Sequence, residues 1–176
     1  MHTRWLTAVA AVLLTAAVSA ATIGFTAPSG WVSKAPGSSM RVAEFTLPKE
    51  TGDPEDASVT VFFFGATQGG AVQANIDRWI SQLAQPDGKA SKDVAKTTTA
   101  TSQSGLKLTL VDVTGTFVAE VAPGSSEHFN KPGFRQIAVY VETAGGPYFV
   151  KLLGPAKSVE KWRASFDAFL KSLKYS

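Results

Sequence analysis

From Val59 to Phe64 (VTVFFF) the chain is apolar on both alternations, with Val59, Val61 and Phe63 on one side and Phe62 and Phe64 on the other. A strand with two apolar faces lies between layers, because neither face can meet water without cost. Gly65 to Gly70 then turns the chain, and the period changes. At roughly 100° per residue, Val72, Ile76, Trp79, Ile80 and Leu83 fall in one apolar arc, which predicts a helix from Ala71 to Ala84 packed on the sheet. Asn75, Arg78 and Gln82 align along the flank of that arc.

The same reading extends along the chain. Met40 to Leu47 alternates as a half-buried strand that Pro48 ends. Asp93 to Gln103 is rich in Thr and poor in large apolar residues, which suits an exposed edge strand or a loop. Leu106, Leu108 and Leu110 face one way in a strand that continues towards Phe117, and Ala119 to Gly133 reads as a long irregular segment. Phe134 to Thr143 and Tyr148 to Leu153, joined through Gly145-Gly146-Pro147, form a hairpin. Lys157 to Leu173 carries Val159, Trp162, Phe166, Phe169, Leu170 and Leu173 on a single helical stripe and leaves a polar tail. Trp31 is expected to plug one end of the core. Runs of strands rather than strict strand-helix alternation predict an α+β fold: an antiparallel sheet of about six to seven strands with helices packed on both faces, an α/β/α sandwich.

Composition adds a compartment. The first 21 residues have a short basic start (His2, Arg4), an apolar stretch from Trp5 to Val18, and small residues at 18 to 20, the pattern of a secretory signal peptide cleaved after Ala20 or Ala21. The competing reading is a retained anchor, since the apolar run approaches the about 18 residues a span needs. Cleavage places one domain at 22–176 in the periplasm or outside the cell, with no stable membrane insertion. The chain has no cysteine, so neither disulfides nor thiol chemistry are available to it. A net charge of +3 without any run of like charges excludes nucleic acid as the main partner.

Candidate chemistry is sparse. After cleavage His128 is the one histidine, in the long loop between Glu127 and Phe129, and one histidine makes neither a triad by itself nor a zinc site; no metal or cofactor is expected. Asp53, Glu55 and Asp56 lack the spacing of a calcium loop and read as a solvated turn. Gln68-Gly69-Gly70 ahead of a helix invites comparison with phosphate-cradling loops, but the Walker lysine is missing and a tight turn explains the glycines. Arg78 lies about 12 Å further along the helix, too far to share an anion with those amides. Asn75, Arg78 and Gln82 are therefore the favoured contact residues, with Gln68, Gly69, Gly70 and His128 as secondary ones. The function expected is a non-enzymatic accessory or binding module that contacts a protein or envelope component. The alternatives are a hydrolase using paired carboxylates or His128, and a structural envelope protein.

Trp31, Met40-Arg41, Leu47-Pro48, Phe64-Gly65, Gly69-Gly70, Asn75, Arg78-Trp79, Gln82, Asp87-Gly88 and Gly154-Pro155 resemble a group of uncharacterised exported bacterial proteins. Their fold is similar to the PsbP-like superfamily, which includes the extrinsic subunit of photosystem II and a Ran-binding nuclear-import factor. The resemblance implies an antiparallel sheet between helices. It brings no catalytic signature, and no functional residue follows from it.

Overall fold

A computed structural model describes residues 21–67 and 72–176. The expected signal peptide, apart from Ala21, and the Gln68, Gly69 and Gly70 turn lie outside the described residues.

Four strands precede the first helix: β1 (Ile23–Gly24), β2 (Val32–Lys34), β3 (Arg41–Leu47) and β4 (Ala57–Phe63). Helix α1 (Val72–Ile80) and β5 (Leu83–Ala84) follow, then α2 (Ser91–Val94), β6 (Lys96–Thr101) and β7 (Lys107–Phe117). The chain ends with β8 (Lys131–Val141), β9 (Tyr148–Pro155), α3 (Ala156–Lys161), α4 (Arg163–Ser172) and β10 (Lys174–Tyr175). The main sheet has eight strands in the order β2-β3-β4-β9-β8-β7-β5, with β6 also paired to β7, and every pairing is antiparallel.

Strand alternation divides the apolar side chains into separate clusters. Val59, Val61, Leu108, Leu110, Ile137, Val139, Val150 and Leu152 pack with Phe166, Phe169 and Leu170 of α4. The intervening positions Val111, Val113 and Phe134 pack with Ile76 and Ile80 of α1, while Trp79 joins Ala138 and Phe149. Trp31 lies in the first group, its ring 5.5 Å from Phe45 and 5.2 Å from Phe169, with the indole N–H donating to Ser165 Oγ at 3.1 Å. Burying each such large side chain contributes about 1.5–3 kcal/mol, which makes these three clusters the main source of cohesion in a protein without disulfides.

Several expectations need correction. The sheet has eight strands rather than six to seven, and short helices do not amount to full helical layers; the fold is a mixed α+β arrangement of antiparallel sheets. Helix α1 stops at Ile80, four residues early, because Leu83 and Ala84 leave to pair with Phe117 and Thr116. Ser81 Oγ donates to the Arg78 carbonyl (2.8 Å) and the Gln82 N–H to the Trp79 carbonyl (3.2 Å), which satisfies the helix end locally. The last helix is interrupted at Trp162, whose indole N–H donates to the Pro48 carbonyl at 2.8 Å. Lys131, Pro132 and Gly133 belong to β8 rather than to the loop, and β9 runs on through Gly154 and Pro155. The polar tail is anchored too: Lys174 and Tyr175 pair with Gly24 and Ile23. The Thr-rich segment is an exposed strand along the β7 edge.

Candidate binding face

Of Asn75, Arg78 and Gln82, the shortened α1 carries the first two, and Gln82 falls two residues past its end. Arg78 is exposed and donates through Nη2 to Asn75 Oδ1 at 3.2 Å, so two of the three residues are joined one helical turn apart. Gln82 lies beyond the helix, where its backbone carbonyl accepts the Val118 N–H at 2.8 Å. That bond to the end of β7 fixes where the Gln82 side chain emerges, and its Oε1 accepts a hydrogen bond from Lys151 Nζ at 2.8 Å.

Lys151 was not among the residues expected from the sequence. It sits in the middle of β9, opposite Ala138, on the same side of the sheet as Phe149 and Trp79. Its ammonium is 5.5 Å from the centroid of Trp79 and 5.7 Å from that of Phe117. Burial, reinforced by the positive charges of Arg78 and Arg41, pulls the Lys151 pKa down to about 8. Every Asp and Glu of the chain is among the described residues, and none forms an ion pair with Lys151 or Arg78. Arg41 rests over Phe62 at 5.9 Å, and Phe62 in turn contacts Trp79 at 5.3 Å. One guanidinium nitrogen of Arg41 bonds Glu44 at 2.9 Å; burial acts to raise the Glu44 pKa, but the Gly37 N–H, this bond and the charges of Arg41 and Lys34 together outweigh it and lower the pKa.

Gln136 also escaped sequence reading. It is fully buried on the side of the sheet that carries Phe134 and Ala138, two residues from the strand partner of Lys151, and neither its Oε1 nor its Nε2 has a hydrogen-bond partner. Both missed residues had a signal. Lys151 is a lone charge in an otherwise apolar strand, and Gln136 interrupts the run Phe134 to Val141; polar groups at such positions cost free energy unless paired.

His128 lies apart from this face, exposed on the loop after β7. Its Nδ1 is 3.2 Å from the Ser126 carbonyl oxygen, and the loop is braced by the Phe129 N–H donating to the Ala119 carbonyl and by Val121 to Glu127. Asp53, Glu55 and Asp56 diverge: Asp53 accepts from Ser158, Glu55 pairs with Lys131 and Asp56 accepts the Lys49 N–H. Among the described residues no cluster of three or more His, Asp or Glu could hold a metal ion. A depression of about 240 Å³ on the α4 side contains Asp112, but its carboxylate is bonded by Arg135 and Arg163.

These features define an α+β protein with a cationic, aromatic-backed face between α1 and the sheet. No protein-family model matches the chain, and no curated protein matches it in sequence. Among solved structures, LpqN of Mycobacterium tuberculosis, described as involved in cell envelope biogenesis, is similar at a TM-score of 0.45 and 10% identity, over 89% of this chain and 84% of that one. Likeness of that degree is too slight to support a functional argument. Among the described residues no helix is long and apolar enough to cross a membrane.

Proposed function

We propose that this chain is an exported, non-enzymatic binding module, a single domain over residues 22–176, which contacts a protein or cell-envelope component through Asn75, Arg78, Gln82 and Lys151. The observation that carries this reading is the Lys151 ammonium: enclosed by Trp79 and Phe117, held by one neutral amide oxygen, and facing other cations rather than a carboxylate. A half-buried charge without a counterion is unfavourable in isolation, and a partner that supplies the missing polarity turns that cost into affinity. Arg beside buried aromatic residues is also a composition enriched at binding hot spots. Export rests on the signal-like first 21 residues.

The test is recovery of partners from an envelope fraction by wild type and by an Arg78→Ala, Gln82→Ala variant of matched thermal stability. Loss of specific partners in the variant supports the reading. Identical partner sets would remove this face from consideration.

A further inference from the structure

We propose that Lys151, Arg78 and Arg41 form a receptor for a phosphoryl group carried by the ligand, with Gln82 holding Lys151 in place. This deepens the binding face proposed above and rests on it.

Several donors on this face are unengaged within the chain. A lysine ammonium has three N–H donors and a guanidinium has five. Lys151 uses one on Gln82, and Arg78 makes one side-chain bond, to Asn75. Arg41 spends one nitrogen on Glu44 and offers the rest from above Phe62. Lys151, Arg78 and Arg41 therefore share one side of the sheet, where Glu44, already engaged by Arg41 and opposite Lys34, is the carboxylate bonded to one of them. Asp77, beside Arg78 on α1, accepts from Gln73 Nε2 at 2.8 Å, and several other carboxylates pair with other cations: Glu55 with Lys131, Asp112 with Arg135, Asp167 with Arg163, Glu50 with Lys161 and Asp87 with Lys89. The arrangement is thus not satisfied from within the chain.

Charge and donor count favour a phosphoryl group over a carboxylate. Cations outnumber carboxylates on this face, an excess that favours a dianion over a monoanion, and three terminal oxygens can accept from both Arg78 and Lys151 while a carboxylate has two. The aromatic backing supplied by Trp79, Phe62 and Phe117 lowers the local polarity, so each charge-assisted bond there is stronger than on an open surface. Gln82 acts as a positioning residue: its backbone is tied to Val118, and its side-chain oxygen orients the ammonium without neutralising it.

The source of the phosphoryl group, a soluble phosphate ester or a lipid headgroup, is separated by the probes. Inorganic phosphate is titrated into the purified protein at constant ionic strength and followed calorimetrically, with acetate as the carboxylate comparison. In a second arm, vesicles containing phosphatidic acid, whose headgroup is a phosphomonoester, are compared in a sedimentation assay with vesicles in which phosphatidylglycerol, a phosphodiester, supplies the negative charge. Saturable phosphate binding that exceeds acetate binding is expected, weakened about tenfold or more by Lys151→Met and by Arg78→Gln, and largely kept by Lys151→Arg. Lipid capture dependent on Lys151 would assign the headgroup as source; its absence with phosphate binding intact would assign a soluble ester. If Lys151→Met fails to fold, the exposed Arg78→Gln variant decides. No saturable phosphate binding, or binding equal in wild type and variants, overturns the inference. Partner capture that depends on Arg78 and Gln82 without phosphate binding would overturn this inference and leave the binding module standing. Lys151-dependent phosphate binding without any partner capture would do the reverse.

Discussion

The Lys151 ammonium lies 2.8 Å from the side-chain oxygen of Gln82, a residue 69 positions earlier in the chain. The contact joins the central strand β9 to the segment where α1 gives way to β5. It is the point at which the amphipathic helix and the sheet stop being a packing arrangement and become a polar site.

The first prediction concerns pH. Lys151 has its pKa lowered from 10.5 to about 8 in the folded protein, so between those values the unfolded chain binds more protons than the native one. Stability contributed by this group therefore rises as pH increases from about 8 to 10.5, and is lowest below 8, where the native state must hold the charge. Facing charges are Arg78 on α1 and Arg41 on β3 with its partner Glu44; Tyr140 on β8 shares the sheet face, and burial, with Glu142 nearby, raises its pKa. Comparing wild type with Lys151→Met cancels the tyrosine contributions. In phosphate-free buffer the variant is expected to be more stable at pH 7, by on the order of 1–3 kcal/mol, with the difference shrinking by pH 10.5. Urea unfolding across pH 6.5 to 10.5 measures it; a pH-independent difference would contradict the burial argument.

Gln136 supplies the second. Its amide is fully buried and unbonded, so the folded state carries a desolvation cost with no return. Gln136→Leu keeps much of the volume and removes the polar atoms, and is expected to stabilise by about 1 kcal/mol. Gln136→Ala removes the volume as well and leaves a hole, so it is expected to destabilise. Opposite signs for the two variants in thermal unfolding are the signature; a large loss of stability in Gln136→Leu would mean the amide has a partner in solution.

How much of this was legible in the sequence follows from what each residue's neighbours are. The alternation of Val59 to Phe64, the arc through Ile76, Trp79 and Ile80, and the stripe through Phe166 and Phe169 depend on local period, and all of those residues pack as the period requires. The early end of α1 depends on Leu83 finding Phe117 across the sheet, which no local pattern encodes. Asn75 and Arg78 could be placed together because they are one turn apart. Lys151 could not be joined to Gln82, since their proximity is a property of strand order. The β1 and β10 pairing at the termini is of the same kind.

Gly115 gives the third prediction. A Cβ there would lie 2.6 Å from the Ala84 carbonyl oxygen, closer than real side chains approach, and a tight 3.0 Å from Gln85 Nε2. Gly115→Ala must push β5 away from β7, at a cost of about 1–3 kcal/mol. Because the Gln82 carbonyl is held by the Val118 N–H a few residues on, the displacement reaches the binding face. Faster hydrogen exchange at Val118, together with reduced stability, is expected. Unchanged exchange at Val118 would show that β5 yields without moving Gln82.

The fourth prediction separates two ion pairs made by one side chain. Arg135 donates to both oxygens of Asp112, at 2.9 and 2.6 Å, and to Glu160 at 2.6 Å. Hydrogen bonding to Asp112 first, then to Glu160, raises the Arg135 pKa above its ordinary value despite partial burial. The Asp112 side chain is 20% exposed and that of Glu160 is 69% exposed, so water screens the second pair far more than the first. Asp112→Asn also weakens the contact with Arg163, and is expected to cost about 1–3 kcal/mol. Glu160→Gln is expected to cost about 0–1 kcal/mol. Raising the salt to about 1 M shortens the screening length to about 3 Å, which erases the Glu160 effect and preserves most of the Asp112 effect. Equal costs at low salt, both vanishing at high salt, would place the Asp112 pair in solvent and remove it as a fastener between β7, β8 and the last helix.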